Sequence, residues 1–348
     1  MVEQRDIDII FESPIDWETF RGKTVLVTGA TGRLGMYIVE ALAHADIEWN
    51  LDLRVIAMAR SEAKLHHVFG ETLGLPNVRT IVQDVTTPFS ELAPVDCIFH
   101  TAGLASPRDF TDSPVDTLWG HVAGTRNVLE LARKQAHCHV FYVSTVEIYG
   151  NWESDAKITE ADMGPMIANR ARACYPEAKR LCETMLASYA AQYGVTYNGV
   201  RLCHTFGPGI ALDDGRAFAE FLRDVVRGED IVLQSDGSAM RTYTYVADAV
   251  GAMFLIATSG EHGAFYNVAN AQNLVSIREL AKLIASLDPA QKVHVRFANE
   301  QSKLQYLPFH LAIMDTSKIE ALGWQPRVGL KKAFQYTLEY FLQNGRDA

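Results

Sequence analysis

Residues 23–35 read KTVLVTGATGRLG, and their reading decides the fold. Lys23 opens a short apolar, β-branched run of the kind that a strand buried on both faces requires. The run passes directly into glycines at positions 29, 32 and 35, and GRLGMYIVEALAHA (32–45) continues with helical spacing. Glycine permits positive φ in a tight turn, lets backbone come close to a pyrophosphate, and lets helix pack on strand. The following helix offers its first amides and its dipole to phosphate. Many strand–helix turns carry two or three glycines. The position after a first strand and before an amphipathic helix is what points to a dinucleotide site.

Working outward, the alternation continues. DLRVIAMAR (52–60), VRTIVQD (78–84), DCIFHTAG (96–103), HVFYVST (139–145) and VTYNGVRLCH (195–204) read as strands. PVDTLWGHVAGTRNVLELARKQ (114–135) and YPEAKRLCETMLASYAAQYG (175–194) read as long helices, with Pro114 in the first turn of one and Gly194 capping the other. Apolar strands separated by helices predict an α/β fold, a doubly wound parallel Rossmann-type sheet over residues 23–204. From TFGPGIALDDG (205–215) onward the texture becomes irregular. Residues 205–348 are expected to form a smaller α/β substrate lobe, with the chain free to cross back between lobes. Residues 1–22 read as an N-terminal arm without a functional reading.

Composition narrows the function. The 348 residues fit one large domain or two intimate ones, and 48% hydrophobic with 21% charged residues is the balance of a soluble globular protein. A net charge of −10 without any Lys/Arg run argues against a nucleic-acid partner. The N-terminal MVEQRDIDIIFESPIDWETF carries alternating charges and reads as neither signal peptide nor anchor, and no membrane association is expected. Cys97, Cys138, Cys174, Cys182 and Cys203 form no CxxC pair, which suits a reducing, cytoplasmic setting. The eleven histidines show no ligand spacing, so no metal is expected.

Which dinucleotide binds stays open on the residues alone. A carboxylate ending the second strand would hold the ribose of NAD, but that strand ends Met58-Ala59-Arg60. Arg60 and Arg33 would suit the 2′-phosphate of NADP, or both are solvated charges. Asp84 is placed to accept from adenine or to cap a turn. Of thirteen tyrosines, only Tyr175 has a lysine four residues on, Lys179. That spacing puts both on one helix face. A phenol has a reference pKa of about 10, and a neighbouring ammonium is expected to lower it toward the range of a general base. Thr145 ends the preceding strand.

TGATGRLG, STVEIYG (144–150), YPEAK (175–179), HTFGPG (204–209) and RTYTYVAD (241–248) together resemble the extended short-chain dehydrogenase/reductases, the NAD-dependent epimerase/dehydratase family. The likeness runs from about Lys23 to DTSKIEALGWQP (315–326). HTAGLASPRDFTDSPVDTL, RACYPEAKRLCETM and HTFGPGIALDDGRAF look closest to UDP-glucuronate decarboxylases, with the 4,6-dehydratases next. The resemblance implies a catalytic set of Thr145, Glu147, Tyr175 and Lys179. It implies a tightly bound NAD or NADP held by Gly29, Thr31, Gly32, Arg33, Leu34, Gly35, Arg60, Asp84, Val85, Thr101, Ala102, Gly103 and Lys179. It implies a nucleotide-diphosphate sugar touching Ser106, Thr145, His204, Arg216 and Arg241, and a homodimer built on a four-helix bundle from the two long helices.

The shared chemistry of such enzymes starts with hydride removal from sugar C4. The 4-ketone then permits loss of a C6 carboxylate as carbon dioxide, loss of water from C5 and C6, or return of hydride to the other face. Glu147 favours C5 chemistry, since simple 4-epimerases do not need it; a cap or ion pair is its plain structural alternative. Dehydratases of this kind carry an acid where this chain has Val146, and decarboxylases carry serine there. Val146 donates no proton, which removes more from a dehydratase than from a decarboxylase. His121 and His204 stand where asparagine is usual, and Arg172 and Cys174 flank Tyr175 in packing or loop roles. An NADPH-consuming reductase and a non-catalytic NAD(P) sensor are the competing classes; the Thr/Tyr/Lys set opposes the sensor.

Overall fold

The chain from Lys23 does what an apolar run between glycine turns dictates: it builds a parallel sheet from the inside. The structure, a computed structural model, describes residues 2–90, 92–152, 154, 156–298 and 313–344. Seven strands form the main sheet: β1 (Thr24–Thr28), β2 (Arg54–Ala59), β3 (Val78–Val82), β4 (Cys97–His100), β5 (His139–Thr145), β6 (Thr196–Leu202) and, later in the chain, β10 (Phe265–Val268). Their spatial order is β10-β6-β5-β4-β1-β2-β3, and every pair is parallel. The order reverses between β1 and β4, so their carboxyl ends splay apart and leave the crevice where such sheets bind ligands.

Helices cover both faces. α1 (Gln4–Phe11) precedes the sheet; α2 (Arg33–Trp49), α3 (Glu62–Phe69), α4 (Pro107–Asp112), α5 (Pro114–Ala132) and α6 (Cys174–Tyr193) follow. Gly194 ends α6 in the left-handed region at φ 73°, as its position after the last helical turn requires. α5 and α6 pack along each other. The β1–α2 turn is tight. A Cβ on Gly35 would lie 2.4 Å from the Gly29 carbonyl oxygen, and Gly29 at φ 68° lies against the backbone of Ala102.

Beyond residue 204 the chain forms β7 (His204–Phe206), α7 (Ala217–Arg227), β8 (Ile231–Leu233), β9 (Met240–Tyr245), α8 (Val246–Ser259), β11 (Leu274–Ser276), α9 (Ile277–Ala285), β12 (Val295–Phe297), α10 (Ser317–Glu320) and α11 (Leu330–Asn344). β11, β9 and β7 make a three-stranded sheet, and β12 pairs with β8. Not all of this belongs to the lobe. α8, buried through Ile256, packs against β6, and β10 completes the main sheet.

The N-terminal segment is built into the body. Ile7, Ile10, Trp17 and Phe20 are buried in the main core, and Trp17 stacks on Trp49 at 5.3 Å. Asp6, fully buried, accepts from the Tyr37 hydroxyl of α2 at 2.8 Å and the Tyr245 hydroxyl of β9 at 2.7 Å. Burial raises its pKa despite both donors. One carboxylate therefore joins the arm to both α2 and β9.

Candidate active site

Thr145 is the last residue of β5, at the carboxyl edge of the sheet. It caps the short 3₁₀ turn Val146–Tyr149, its Oγ1 accepting from the Glu147 amide at 3.3 Å. Tyr175 and Lys179 lie one turn apart at the start of α6, both buried. The Tyr175 ring stacks on Phe110 with centroids 4.3 Å apart and meets the His121 ring at 5.4 Å. The Thr145 side chain is near enough to its hydroxyl to draw the phenol pKa down. The fold thus brings Thr145, Tyr175 and Lys179 to one place from two elements.

The electrostatics correct one expectation. Burial pushes the Tyr175 phenol up to about 12, and the Glu147 carboxylate adds to the rise; Thr145, Arg216 and Arg172 pull it back. Lys179 is not among the strongest of these influences. The Lys179 ammonium donates to the Val143 carbonyl at 2.7 Å and stands 5.9 Å from the Tyr175 ring centroid. Burial lowers Lys179 itself to about 8. Desolvation outweighs the pair attraction on which the sequence reading relied.

Glu147 meets Arg172 through both carboxylate oxygens, at 3.0 and 2.9 Å, and Arg172 also lies over the Phe110 ring. The ion pair named as its plain alternative is therefore present, and it sits beside Tyr175. Val146 is buried and lines a cavity with His204, Met240 and Arg241.

The cofactor residues are arranged around the crevice. Gly32 caps α2 without a side chain, so the first amides of Arg33, Leu34 and Gly35 face the turn that Thr31 leads into. Such an end suits a diphosphate, and an NAD-type cofactor fits it. Thr101 donates to the Thr28 carbonyl at 2.7 Å, and a Cβ on Gly103 would lie 2.1 Å from His121 Cε1. Val85 packs against Gly124, and its carbonyl accepts from Asn127 at 2.9 Å. Asp84 accepts from the Thr86 amide and hydroxyl at 2.8 and 2.7 Å, the turn cap foreseen as its alternative. Arg60 is exposed and faces Asp84 at 3.9 Å. Arg33 turns elsewhere, donating to the Thr205 carbonyl at 2.7 Å. The two arginines thus face different partners.

Residues 25–269 match the model of the NAD dependent epimerase/dehydratase family. The chain belongs to this family. UDP-glucuronic acid decarboxylase 2 of Arabidopsis thaliana is 32% identical over 93% of this chain and 69% of its own length. UDP-glucuronic acid decarboxylase 1 of Danio rerio is 30% identical over 92% of this chain and 72% of its own. Among solved structures, the UDP-glucose 4-epimerase of Thermotoga maritima, with UDP-glucose, aligns at TM-score 0.76 and 22% identity, covering 92% of this chain and 99% of that one. The dTDP-glucose 4,6-dehydratase of Bacillus anthracis, with NAD, aligns at TM-score 0.74 and 18% identity, covering 92% and 97%. At those identities the likeness is one of fold.

His121 is buried and shares a hydrogen bond with the Leu104 carbonyl at 2.9 Å through Nε2. His204 lies near Tyr243 with ring centroids 5.5 Å apart, and burial, Arg241 and Arg216 hold it down to about 3. Arg216 pairs with Asp214 at 2.9 Å and donates to the Ala105 carbonyl; Arg241 donates to the Met240 carbonyl at 2.7 Å. Ser106 is engaged in a capping box with Asp109 that starts α4, which occupies its hydroxyl. Sequence reasoning passed over Phe110, Asp214 and the buried Glu183–Arg201 pair, for none of which the chain carries a local signal. Among the described residues no group of His, Cys, Asp and Glu could hold a metal ion, and no helix is long and apolar enough to cross a membrane.

The buried histidines predict acid sensitivity. Burial holds His100 down to about 3 and His139 to about 4, and keeps His121 well below its ordinary range. With His204 they stay neutral in the fold while the unfolded chain takes up protons below about 6.5. Stability is therefore full above that pH and falls as pH drops, by about 1.4 kcal/mol per unit for each fully buried ring. Asp248, raised to about 6 by burial, offsets part of this. The melting temperature is expected to be lower at pH 5 than at pH 7, with proton uptake on unfolding. Equal melting temperatures would contradict this.

Proposed function

We propose that the chain oxidises C4 of a UDP-uronic acid with bound NAD and then releases its carboxylate as carbon dioxide. The observation that carries the reading is the turn Val146-Glu147. Val146 offers no proton to a leaving hydroxyl, whereas decarboxylation requires none. Glu147 stands beside Tyr175 as a paired carboxylate. The similarity to plant and fish UDP-glucuronic acid decarboxylases supports the same choice.

Bound NAD supplies the hydride acceptor. Tyr175 takes the C4 hydroxyl proton, and Thr145, whose side chain already acts on the phenol, orients the same oxygen. Arg172 and Arg216 favour the phenolate that burial opposes. Lys179, braced on the Val143 carbonyl, is placed to hold a ribose. The resulting β-keto acid would lose carbon dioxide as its C5–C6 bond breaks, C5 would take up a proton from solvent, and Tyr175 would return its proton to O4 when the carbonyl is reduced again. NAD is favoured over NADP because Arg60 faces Asp84 and Arg33 turns to Thr205.

Mass spectrometry of UDP-glucuronate after incubation with protein and NAD tests the reaction. Loss of carbon dioxide is expected; an unchanged mass from folded, NAD-loaded protein would sink it. Glu147→Gln should slow that loss tenfold or more, a rough size for one positioned carboxylate, with NAD affinity unchanged.

A homodimer through α5 and α6 belongs to the same proposal. Val115, Leu118 and Trp119 of α5 and Leu181 of α6 are exposed, with Trp119 61% accessible. An apolar patch on two adjacent helices suits a second copy, which would complete a four-helix bundle. Sedimentation should show a dimer that Trp119→Glu converts to monomer; a monomeric native protein would refute it. Five free thiols, four of them buried, fit a reducing cytoplasm.

A further inference from the structure

We infer that Arg33, on a seam shared with Arg216, binds an anionic oxygen of the nucleotide-sugar substrate and not the 2′-phosphate of a cofactor. This rests on the reading of the site as one that takes a nucleotide-diphosphate sugar.

Arg33 opens the cofactor helix, yet its side chain leaves the cofactor loop. Its Nη2 donates at 2.7 Å to the carbonyl of Thr205, in the segment that leads from the sheet into the substrate lobe. Its Nε is buried and has no hydrogen-bond partner among the described residues. A buried donor left unpaired is costly, more so when charged, so natural sites rarely keep one without a purpose.

Arg216 is its neighbour, and the local charges do not balance. Asp214 uses one oxygen on the Arg216 guanidinium at 2.9 Å and the other on the Arg216 amide at 3.0 Å. Two guanidiniums thus share one carboxylate, and that carboxylate is already committed to Arg216. Burial first and the Arg216 charge second bring Arg33 down to about 10, with Asp214 and Tyr37 opposing them. A guanidinium with spare N–H groups is matched by carboxylate or phosphate oxygens, which it can bind in pairs.

The seam lies toward the reaction, away from the adenosine end. Arg216 acts on the Tyr175 phenol and on His204, and His204 lines the cavity with Val146 and Arg241. The β2 end, where a 2′-phosphate would sit, is marked by Arg60 and Asp84. Arg33 therefore joins the glycine loop to the substrate, so one residue ties cofactor seat and substrate seat together. A UDP-uronate offers two sources of anionic oxygen there, its diphosphate and its sugar carboxylate.

The test is calorimetric titration of NAD-loaded protein, native and Arg33→Met, with UDP, UDP-glucose, UDP-glucuronate and inorganic pyrophosphate, beside separate titrations with NAD and NADP. The expected result is a loss of about tenfold or more in affinity for UDP-glucuronate, the scale of one charged hydrogen bond, with NAD affinity unchanged. A loss shared by all four ligands assigns Arg33 to the diphosphate; a loss confined to UDP-glucuronate assigns it to the carboxylate. Unchanged affinities for all four, or a loss confined to NADP, would overturn the inference. Should native protein bind no UDP ligand, the proposed function fails by itself, and pyrophosphate decides Arg33: weaker binding by the variant supports the inference and equal binding overturns it. Arg33→Lys keeps the charge and part of the affinity, and it serves if Arg33→Met melts below the working temperature.

Discussion

Tyr175→Phe is expected to reduce turnover of the sugar substrate by about 10²- to 10⁴-fold while leaving melting temperature and NAD affinity near native. The ring is held independently of its hydroxyl, by stacking on Phe110 at 4.3 Å and by contact with His121. Phenylalanine keeps that packing and removes only the hydroxyl on which Thr145 acts. A loss confined to the chemical step would separate catalysis from folding. The measurement is turnover together with the reduced-nicotinamide signal in a single turnover. Native-like turnover by Tyr175→Phe would remove the phenol from the mechanism.

The second large effect is structural and lies one layer deeper. Glu183 accepts from the Ser144 hydroxyl at 2.5 Å and from Arg201 Nη2 at 2.7 Å, and both members of the ion pair are nearly excluded from solvent. Arg201 Nη1 continues to the Tyr149 hydroxyl at 2.9 Å, and Tyr149 donates to Asn267 at 2.6 Å. Glu183→Ala would leave a buried guanidinium unpaired, which costs about 3–5 kcal/mol. Ser144 precedes Thr145, and Tyr149 ends the turn that holds Glu147, so the loss is expected to loosen the catalytic strand end as well. Denaturant unfolding should show the drop, with Glu183→Gln milder because an amide still accepts from Ser144. A change below about 1 kcal/mol in the alanine variant would mean water replaces the carboxylate.

Much of the fold, and the meeting of Thr145, Tyr175 and Lys179 in one place, was legible because the signals are local. A strand, a glycine turn and a helix are neighbours in sequence, and Tyr175 and Lys179 share a helix face by spacing alone. What was not legible depends on distant partners. Asp6 reads as one of several alternating charges, but its partner Tyr245 lies 239 residues away. Arg33 reads as a cofactor contact, and only the folded chain turns it toward Thr205. Neighbouring charges along the helix suggested a lowered Tyr175, whereas burial, a property of the whole packing, raises it to about 12. β10 joins the main sheet from a stretch whose irregular texture gave no sign of it.

The most direct test of the central claim uses UDP-glucuronate carrying deuterium at C4, incubated with NAD-loaded protein and analysed by mass spectrometry. The account predicts a UDP-pentose that has lost carbon dioxide and kept its deuterium, because hydride leaves C4 and returns within one site. An unchanged UDP-glucuronate, or a decarboxylated product that has lost its deuterium, would contradict it.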